Sequence, residues 1–286
     1  MAPAPDHNTV KAQLAKTRAA LAGVGVSYAW LDAEILMAHV LHSSRERLHS
    51  HPERRLTAAQ QQRLGRLTRR RADRVPVPYL TGEREFYGNL LAVRPGVLIP
   101  RPETELMVEL AIAWLGEHPG PRRVIDLGTG SGAVAIAVAK AVPQARIVAR
   151  DVSPRALRVA DENIARFRLR RRITTERANL LRGAAPADLI VANLPYISAA
   201  QREGRPRELS YEPALALDGG DDGLALIRQA LRQAPAVLNP GGCLLLECDP
   251  SQARRLIRLA RGEWPSAQVS VHKDLAGRDR VIRILL

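Results

Sequence analysis

The stretch "VIDLGTGSGAVAIAVA", residues 124–139, decides which fold this chain of 286 residues can form. An apolar, β-branched run comes first, Gly128, Gly130 and Gly132 follow, and an alanine-rich run comes last. Glycine adopts positive φ and lets the backbone approach a ligand closely, so this order predicts a strand, a tight turn and a helix.

The rest of the chain from residue 122 onward continues to alternate between strand and helix patterns. Strands are predicted at residues 122–128, 145–152, 172–179, 187–194 and 242–249, and helices at residues 133–142, 153–167 and 222–238. Two further β runs, residues 267–274 and 278–286, are separated by a turn. This alternation predicts an α/β fold with a doubly wound, mostly parallel sheet and an antiparallel pair at one edge.

Three segments of different character predict the domain organisation. Residues 1–75 are predicted to form a small helical domain, because apolar residues recur with a helical period and Thr57 and Gln60 match a capping box. Residues 76–101, with prolines, glycines and short β-like runs, are predicted to form a linker with a β-hairpin. Residues 102–286 are predicted to form the α/β domain.

The chain is strongly basic, with a formal net charge of +14. Such a charge favours polyanionic or acidic partners, although an arginine- and alanine-rich composition shared by the whole proteome explains it equally well. Aromatic residues make up only 3% of the chain, which argues against a stacking platform for single-stranded nucleic acid. Direct binding of nucleic acid therefore stays open.

The sequence predicts neither a membrane span nor a metal site. The longest apolar run, residues 133–139, is far too short to cross a bilayer, and the two cysteines fit a reducing compartment, so we expect a cytoplasmic protein. His39 and His42 stand three positions apart on a predicted helix, but no cysteine or carboxylate array accompanies them. Packing or solvated roles are therefore favoured for these histidines.

The glycine turn and an acidic residue after the second strand predict the kind of ligand. The spacing G-x-G-x-G differs from the G-x-G-x-x-G of dinucleotide sites, and no lysine follows it as in a P-loop. Asp151 ends the second predicted strand, where its carboxylate can accept hydrogen bonds from both hydroxyls of a ribose. Because open sheets bind ligands at the carboxyl ends of parallel strands, a nucleoside-type cofactor is predicted there.

A second unusual sequence, "ANLPY" at residues 192–196, ends the fourth predicted strand beside the glycine turn. Pro195 has a fixed φ and biases Leu194 toward an extended conformation, so the segment is stiff. A stiff turn can aim the side-chain oxygen of Asn193 and the carbonyl oxygen of Leu194 at one point. These two acceptors would grip a planar NH2 group, with the ring of Tyr196 stacked on its plane.

An amide nitrogen is by itself a poor nucleophile, because it shares its lone pair with the neighbouring carbonyl. Holding both N–H bonds orients that lone pair and stabilises the positive charge that develops on nitrogen during transfer. A cationic sulfonium methyl donor needs no acid to activate its leaving group. The residues therefore favour methyl transfer without a metal or a Ser–His–Asp set.

Several longer motifs resemble one known family. They are "LIPRPETE" (98–105), "VIDLGTGSGAVAIA" (124–137), "ADLIVANLPYI" (187–197), "YEPALAL" (211–217) and "DLAGRDRVI" (274–282). Over nearly the whole chain they resemble the protein-(glutamine-N5) methyltransferases that use S-adenosyl-L-methionine to modify peptide chain release factors. The glycine turn marks only the wide class of Rossmann-like methyltransferases, whereas "LIPRPETE" and "YEPALAL" narrow the resemblance to the glutamine branch.

This resemblance implies a Rossmann-like class I methyltransferase that methylates the glutamine of the Gly-Gly-Gln motif in class 1 release factors. It implies that the cofactor is bound by Gly128, Thr129, Gly130, Ser131, Gly132, Asp151, Asn179, Leu180 and Asn193. It also implies that catalysis and substrate binding fall to Asn193, Leu194, Pro195 and Tyr196. The helical N-terminal domain and the hairpin would help to dock the protein substrate.

Two positions depart from the family pattern. Residue 194 is leucine where the family usually has proline, but a backbone carbonyl survives that change, so we expect activity to survive. Asn179 and Leu180 stand where the family usually has an acidic residue followed by an aromatic one, which leaves the adenine contacts open.

Three charged residues near the predicted site have two interpretations each. Arg101 and Glu103 either cover the active site from the linker or cap the helix that follows. Glu247, at the end of the fifth predicted strand, either faces the cleft or has a packing or hydrogen-bonding role.

Three alternative functions remain open. Asn-Leu-Pro-Tyr also resembles the motif of ribosomal RNA adenine dimethyltransferases, so an RNA or DNA adenine N6-methyltransferase is the first. Those enzymes are expected to carry their extra domain after the methyltransferase domain and have nothing like "RPETE". A glutamine methyltransferase of a ribosomal protein is the second alternative. A non-enzymatic, RNA-associated module that binds S-adenosyl-L-methionine is the third.

Overall fold

A computed structural model of the protein describes residues 7–202 and 204–286. The chain forms two compact units, of which the first ends at Glu83 and the second begins at Arg84. The first part of the helical domain predicted for residues 1–75, residues 1–6, lies outside the described residues. The boundaries proposed from sequence at residues 75 and 101 stay a prediction.

The first unit is helical. Its helices are α1 (Val10–Gly23), α2 (Ala29–Leu41), α3 (Arg45–Ser50), α4 (Ala58–Ala72) and α5 (Val77–Thr81). The predicted capping box is confirmed: the Thr57 hydroxyl accepts a hydrogen bond from the Gln60 amide at 3.2 Å, and the Thr57 amide donates to Gln60 Oε1 at 2.9 Å. Helices α3 and α5 were not predicted, because helices of six and five residues are too short to show an apolar period.

A buried ion pair joins two helices of this unit. Arg71 Nε on α4 donates to Asp32 Oδ2 on α2 at 2.7 Å, and both residues are buried. The arginine-rich face of α4 is therefore not wholly solvated, because one of its guanidinium groups neutralises a carboxylate in the bundle.

The second unit alternates strands and helices from the end of the first unit onward. They are β1 (Glu83–Phe86), β2 (Asn89–Ala92), α6 (Glu105–Glu117), β3 (Arg122–Leu127), α7 (Ala133–Ala141), β4 (Ala145–Asp151), α8 (Pro154–Arg166), β5 (Ile173–Arg177), β6 (Ala187–Ala192), α9 (Ala225–Gln233), β7 (Leu238–Glu247), α10 (Ala253–Glu263), β8 (Gln268–Lys273) and β9 (Asp279–Leu285). The first of these strands begins one residue before the unit boundary.

The predicted sheet is confirmed. Seven strands are ordered β5-β4-β3-β6-β7-β9-β8, with parallel pairing from β5 to β7. Strand β9 runs antiparallel to both β7 and β8, which closes one edge as the sequence predicted. The carboxyl ends of β3, β4 and β6 therefore meet at one edge of the sheet, where a ligand site is expected.

Side-chain alternation along the central strands builds two apolar layers. Val124 on β3 lies opposite Leu189 on β6, and both pack toward α6 and α7. Their neighbours Ile125 and Ile190 are also opposite each other and pack toward α9 and α10. The sheet is thus covered on both faces, as its nearly continuous apolar strands require.

The hairpin of this unit was predicted from the sequence, whereas one of its helices was not. The predicted hairpin is present as the sheet β1–β2, whose two-residue turn has positive φ at Tyr87 and Gly88. Helix α10 was not predicted, because arginines dominate its sequence and its apolar period rests on only three buried residues, Ala253, Leu256 and Ala260. None of the helices among the described residues has the length and apolar character that crossing a membrane requires.

Candidate active site

The glycine turn lies directly against the turn that follows β6. Gly128 has a φ of +76°, and a Cβ placed on it would meet the Asn193 carbonyl oxygen and Leu194 Cδ2, both at 3.3 Å. The amide of Gly128 donates to the Arg150 carbonyl on the other side at 2.8 Å. Glycine is required here because the backbone must turn with positive φ between two close neighbours.

A buried carboxyl group stabilises the glycine turn through two hydrogen bonds. Asp126 Oδ2 accepts hydrogen bonds from the Thr129 hydroxyl at 2.6 Å and from the Ala135 amide at 3.1 Å. Asp126 is only 3% exposed, and this burial raises its pKa to about 6. Asp126 was not predicted as a site residue, although an acidic residue inside an apolar strand signals a structural role.

Asp151, the last residue of β4, contacts the glycine turn. Its Oδ2 accepts from the Gly130 amide at 3.0 Å, and its Oδ1 accepts from the Ser153 amide at 2.8 Å. Burial raises the pKa of Asp151, while these backbone amides favour the ionised form. Each carboxylate oxygen has two lone pairs, so both oxygens can accept a further hydrogen bond from a ligand hydroxyl.

A cavity of about 340 Å³ brings most of the predicted cofactor residues together. Its lining includes Gly128, Thr129, Gly130, Ser131, Asp151, Asn179, Leu180, Asn193, Leu194 and Pro195. Gly132 is not part of that lining. It has a φ of +80° at the start of α7, where a Cβ would meet Ala160 of α8 at 3.4 Å, so it serves helix packing.

Leu180 gives the cavity an apolar wall. It has a φ of +51°, which is unusual for leucine, and its side chain is buried in the apolar layer that α9 and α10 cover. The left-handed conformation costs about 1–2 kcal/mol in a non-glycine residue, so the packing of the surrounding core holds it. Asn179 beside it is exposed and lines the same cavity.

The Asn193 side chain is oriented by a residue from the distant "LIPRPETE" segment. Its Nδ2 donates to the hydroxyl oxygen of Thr104 at 3.0 Å, and Thr104 is only 4% exposed. Asn193 Oδ1 makes no hydrogen bond to any residue in the described part of the chain. The amide therefore has its donor anchored and its acceptor available, the arrangement that recognition of an NH2 group needs.

A second cavity, of about 240 Å³, shares part of its lining with the first. Asn193, Leu194 and Pro195 line both cavities, whereas Tyr196 lines only the second. The Gln252 side-chain amide donates to the Tyr196 carbonyl at 2.8 Å and holds the segment in place. Asn193, Leu194 and Pro195 thus form a wall shared by two neighbouring cavities, and Tyr196, the fourth residue predicted for catalysis, lines the second.

An ion pair between Arg101 and Glu212 connects the segments "LIPRPETE" and "YEPALAL". Arg101 Nη2 donates to Glu212 Oε1 at 2.5 Å, and Glu212 Oε2 accepts from the Ile99 amide at 3.1 Å. Glu212 is 6% exposed while the Arg101 side chain is 31% exposed, so the carboxylate of this pair is shielded from water and the guanidinium only partly. Arg101 lines both cavities and makes no side-chain cap to the turn Pro102–Thr104, so its position is that of a cavity wall rather than a helix cap.

Glu103 and Glu247 occupy different places around the second cavity. Glu103 lies on its wall, whereas Glu247 is 1% exposed and lines neither cavity. The Tyr196 hydroxyl donates to Glu247 Oε1 at 3.4 Å. Burial raises the pKa of Glu247 to about 7 and is also the main reason that the pKa of Tyr196 is raised.

Potential metal ligands do not assemble in the described part of the chain. No group of three or more histidine, cysteine, aspartate or glutamate side chains that could hold a metal ion occurs among those residues. His39 instead lies 2.9 Å from a guanidinium nitrogen of Arg63, and burial lowers its pKa.

The fold and the site together define a class of protein. A doubly wound sheet with an antiparallel strand next to its edge, a glycine turn after the first strand and an acidic residue after the second define a Rossmann-like class I methyltransferase.

Comparisons with known proteins define the family more closely. Residues 13–82 match the family described as the PrmC N-terminal domain, and residues 107–196 match that described as ribosomal protein L11 methyltransferase (PrmA). The release factor glutamine methyltransferase of Moorella thermoacetica is 40% identical over 275 residues, which cover 95% of this chain and 96% of that relative. The chain belongs to the release factor glutamine methyltransferase family, and the resemblance drawn from the motifs is confirmed.

Two further relatives carry more specific names. A release factor-specific protein-(glutamine-N5) methyltransferase from Alicyclobacillus acidocaldarius, of known crystal structure, is 34% identical; the match covers 68% of this chain and 98% of that chain, with a TM-score of 0.44. The ribosomal protein uL3 glutamine methyltransferase of Bordetella pertussis is 39% identical over 229 residues, which cover 79% of this chain and 77% of that relative.

Proposed function

We propose that this enzyme transfers a methyl group from S-adenosyl-L-methionine to the side-chain nitrogen N5 of the glutamine in the Gly-Gly-Gln motif of class 1 peptide chain release factors. The observation that carries the proposal is the placement of Asn193, whose side-chain nitrogen is anchored by Thr104 and which lines both cavities. Release factors act in translation, so the reaction is proposed to take place in the cytoplasm.

The chemistry of the larger cavity fits S-adenosyl-L-methionine. Asp151 would hold the ribose hydroxyls, because both of its oxygens keep accepting capacity beside their backbone bonds. The turn from Gly128 to Ser131 would line the amino-acid end, and Leu180 and Asn179 would flank the adenine. When bound, this cofactor supplies a methyl group attached to a positively charged sulfur. Once the methyl group is transferred, the sulfur is part of a neutral thioether, which is the leaving group.

The smaller cavity is proposed to admit the glutamine side chain. Asn193 Oδ1 and the Leu194 carbonyl would each accept one N–H of the substrate amide, and the Tyr196 ring would pack against its plane. As the new N–C bond forms, these two oxygens stabilise the charge that appears on nitrogen. Fixed positions for both reacting groups contribute about 7–11 kcal/mol to lowering the barrier.

The proton balance requires no dedicated base. An amide that carries a positive charge on nitrogen is a strong acid, so it releases one proton to water after methylation. The wall between the cavities therefore acts by binding and orientation, and the Leu194 carbonyl does so whether the side chain is leucine or proline.

A methylation assay tests the proposal. The enzyme is incubated with methyl-labelled S-adenosyl-L-methionine and a class 1 release factor, and mass spectrometry locates the label. We expect one methyl group on the glutamine of Gly-Gly-Gln and none on a release factor in which that glutamine is asparagine. Label in RNA would support an adenine methyltransferase instead, and absence of any transfer would support a binding module.

Methylation of a ribosomal protein glutamine is the second candidate. A relative named for ribosomal protein uL3 is about as similar to this chain as those named for release factors. Competition between release factor and purified uL3 in one reaction separates the two candidates. We expect a higher kcat/KM for the release factor.

A further inference from the structure

A basic groove lies at the edge of the sheet opposite the glycine turn. Its volume is about 450 Å³, and its lining comes from the places where strands β3, β4, β5 and β6 begin. Five arginines line it, and Asp188 is the single acidic residue among the described residues that do so. The arginines are Arg122, Arg123, Arg146, Arg171 and Arg172. Strand β3 has six residues, so the groove lies roughly 15–20 Å from the glycine turn.

Two of these arginines are held by the protein itself. Arg122 Nε donates to the His118 carbonyl at 3.2 Å, and Arg122 Nη1 lies 3.7 Å from Asp188 Oδ1. Arg172 donates to the carbonyl of Ala139 in α7. These two guanidinium groups therefore build the walls of the groove, and their role is structural.

The other three arginines have no such partner. Arg123, Arg146 and Arg171 are exposed, and in the part of the chain that the structure describes their side chains form no hydrogen bond or ion pair. The carboxylate of Asp188 is engaged by the main-chain amide of Arg123 at 2.8 Å and by Asn239 at 2.9 Å. Arg123 and Arg146 are register partners on β3 and β4, and neighbouring strands lie about 4.8 Å apart. The groove thus concentrates positive charges that repel one another until an anion binds.

The lining of the groove fits a chain of phosphates better than an acidic protein. A guanidinium group donates two parallel hydrogen bonds to a phosphate, and the exposed Thr174 adds a hydroxyl donor. Protein interfaces instead depend on aromatic and large apolar side chains. None of the described lining residues is aromatic, and Ile147 and Val148 are buried. Without aromatic rings to stack on bases, the groove is suited to the backbone alone.

We propose that this groove binds the phosphate backbone of RNA through Arg123, Arg146 and Arg171. Relatives of this chain are named for release factors, which act on the ribosome, so RNA is the polyanion that such an enzyme meets. Contacts to the backbone carry no sequence information, so binding is independent of the bases. Charges are screened over about 8 Å at physiological ionic strength, so RNA in the groove leaves the cavities at the other edge free. The site is independent of the proposed function, because RNA binding is measured without methyl transfer.

Removal of the three charges tests the site. The affinity of the full-length protein for a fluorescently labelled uridine homopolymer of about 20 nucleotides is measured by fluorescence anisotropy at several salt concentrations. The triple variant Arg123→Gln, Arg146→Gln, Arg171→Gln should raise Kd at least about tenfold. Each phosphate contact to a single strand contributes about −0.7 to the slope of log K against log salt, so the slope should become shallower by about 2. An unchanged slope would overturn the inference.

A matched control separates this groove from the overall charge of the chain. The triple variant Arg254→Gln, Arg258→Gln, Arg261→Gln removes the same charge from exposed positions of α10. It should change Kd less than about twofold, because separated charges are screened. If the two triple variants weaken binding equally, RNA responds only to net charge and the groove is no specific site.

A charge-preserving variant guards against misfolding. Lysine at positions 123, 146 and 171 keeps the three charges, so it should retain the salt slope of the wild type. If its slope falls as far as with glutamine, altered packing rather than lost charge is responsible, and the inference fails.

Competition distinguishes RNA from an acidic protein. Polyglutamate of similar length should displace the labelled RNA far less well than unlabelled RNA does, because carboxylates along a peptide do not reproduce the phosphate chain. Equal displacement by the two competitors would assign the groove to an acidic protein partner and overturn the assignment to RNA.

Discussion

The side-chain nitrogen of Asn193 lies 3.0 Å from the hydroxyl oxygen of Thr104, although 89 positions separate the two residues in the chain. Thr104 belongs to the "LIPRPETE" segment ahead of α6, and Asn193 belongs to the turn after β6. Through this bond, one motif supplies the acceptor that orients the amide of the other.

Replacement of Asn193 tests the amide-binding role most directly. Asn193→Ala removes the side-chain acceptor, so kcat should fall by about 10²–10³-fold, as when one preorganised group at a developing charge is lost. Binding of S-adenosyl-L-methionine, measured by calorimetry, should be nearly unchanged. An equal loss of binding and of turnover would contradict the assigned role. Asn239→Ala, whose side chain bonds Asp188 at the start of β6, is the control.

We expect Thr104 to contribute to turnover only through its hydroxyl group. Thr104→Val leaves the Asn193 nitrogen without its acceptor and should reduce kcat about tenfold, because one buried hydrogen bond is lost. Thr104→Ser keeps the hydroxyl and should retain most of the activity. If serine and valine impair turnover equally in a steady-state assay, the methyl group of Thr104 rather than its hydrogen bond is what the site needs.

Gly128 should tolerate no side chain. Gly128→Ala places a methyl group 3.3 Å from the Asn193 carbonyl and forces alanine to a φ of +76°, so the free energy of unfolding should fall by about 1–2 kcal/mol. Chemical denaturation measures that change. Gly262→Ala in α10 is the matched control: its Cβ meets no atom within 4 Å, and a gain of about 0.5–1 kcal/mol is expected. Equal effects would refute the close approach at Gly128.

The pair Arg101–Glu212 should stabilise the second unit far more than an exposed pair does. Glu212→Ala leaves Arg101 and the Ile99 amide without their acceptor, so the free energy of unfolding should fall by about 3 kcal/mol. Glu162→Ala breaks the exposed pair with Arg94 and should cost less than about 1 kcal/mol. Because Arg101 lines both cavities, Glu212→Ala should also raise KM for the protein substrate. A cost no greater than that of Glu162→Ala would show that the pair is solvated.

Local patterns in the sequence were sufficient for the sheet and for much of the site. The apolar, β-branched runs of the strands, the glycine turn and the "ANLPY" segment are each encoded within a few neighbouring residues. The structure places the glycine turn and the "ANLPY" segment side by side at the carboxyl edge of the sheet. Gly132 is the exception, since its place in the turn suggested ligand contact while its neighbour proves to be Ala160 of α8. Helix α10 was missed because arginines dominate its sequence and only three of its residues are buried.

The sequence by itself determined the α/β fold and the family, and it predicted the residues proposed to grip an amide, because these follow from local strand and helix patterns and from short motifs. Only the tertiary structure decided how that grip is oriented, through Thr104, Gln252 and Glu247, which meet the "ANLPY" turn from distant parts of the chain. The physical reason is that a hydrogen bond between remote segments depends on how the strands and loops pack. No spacing along the chain encodes that packing.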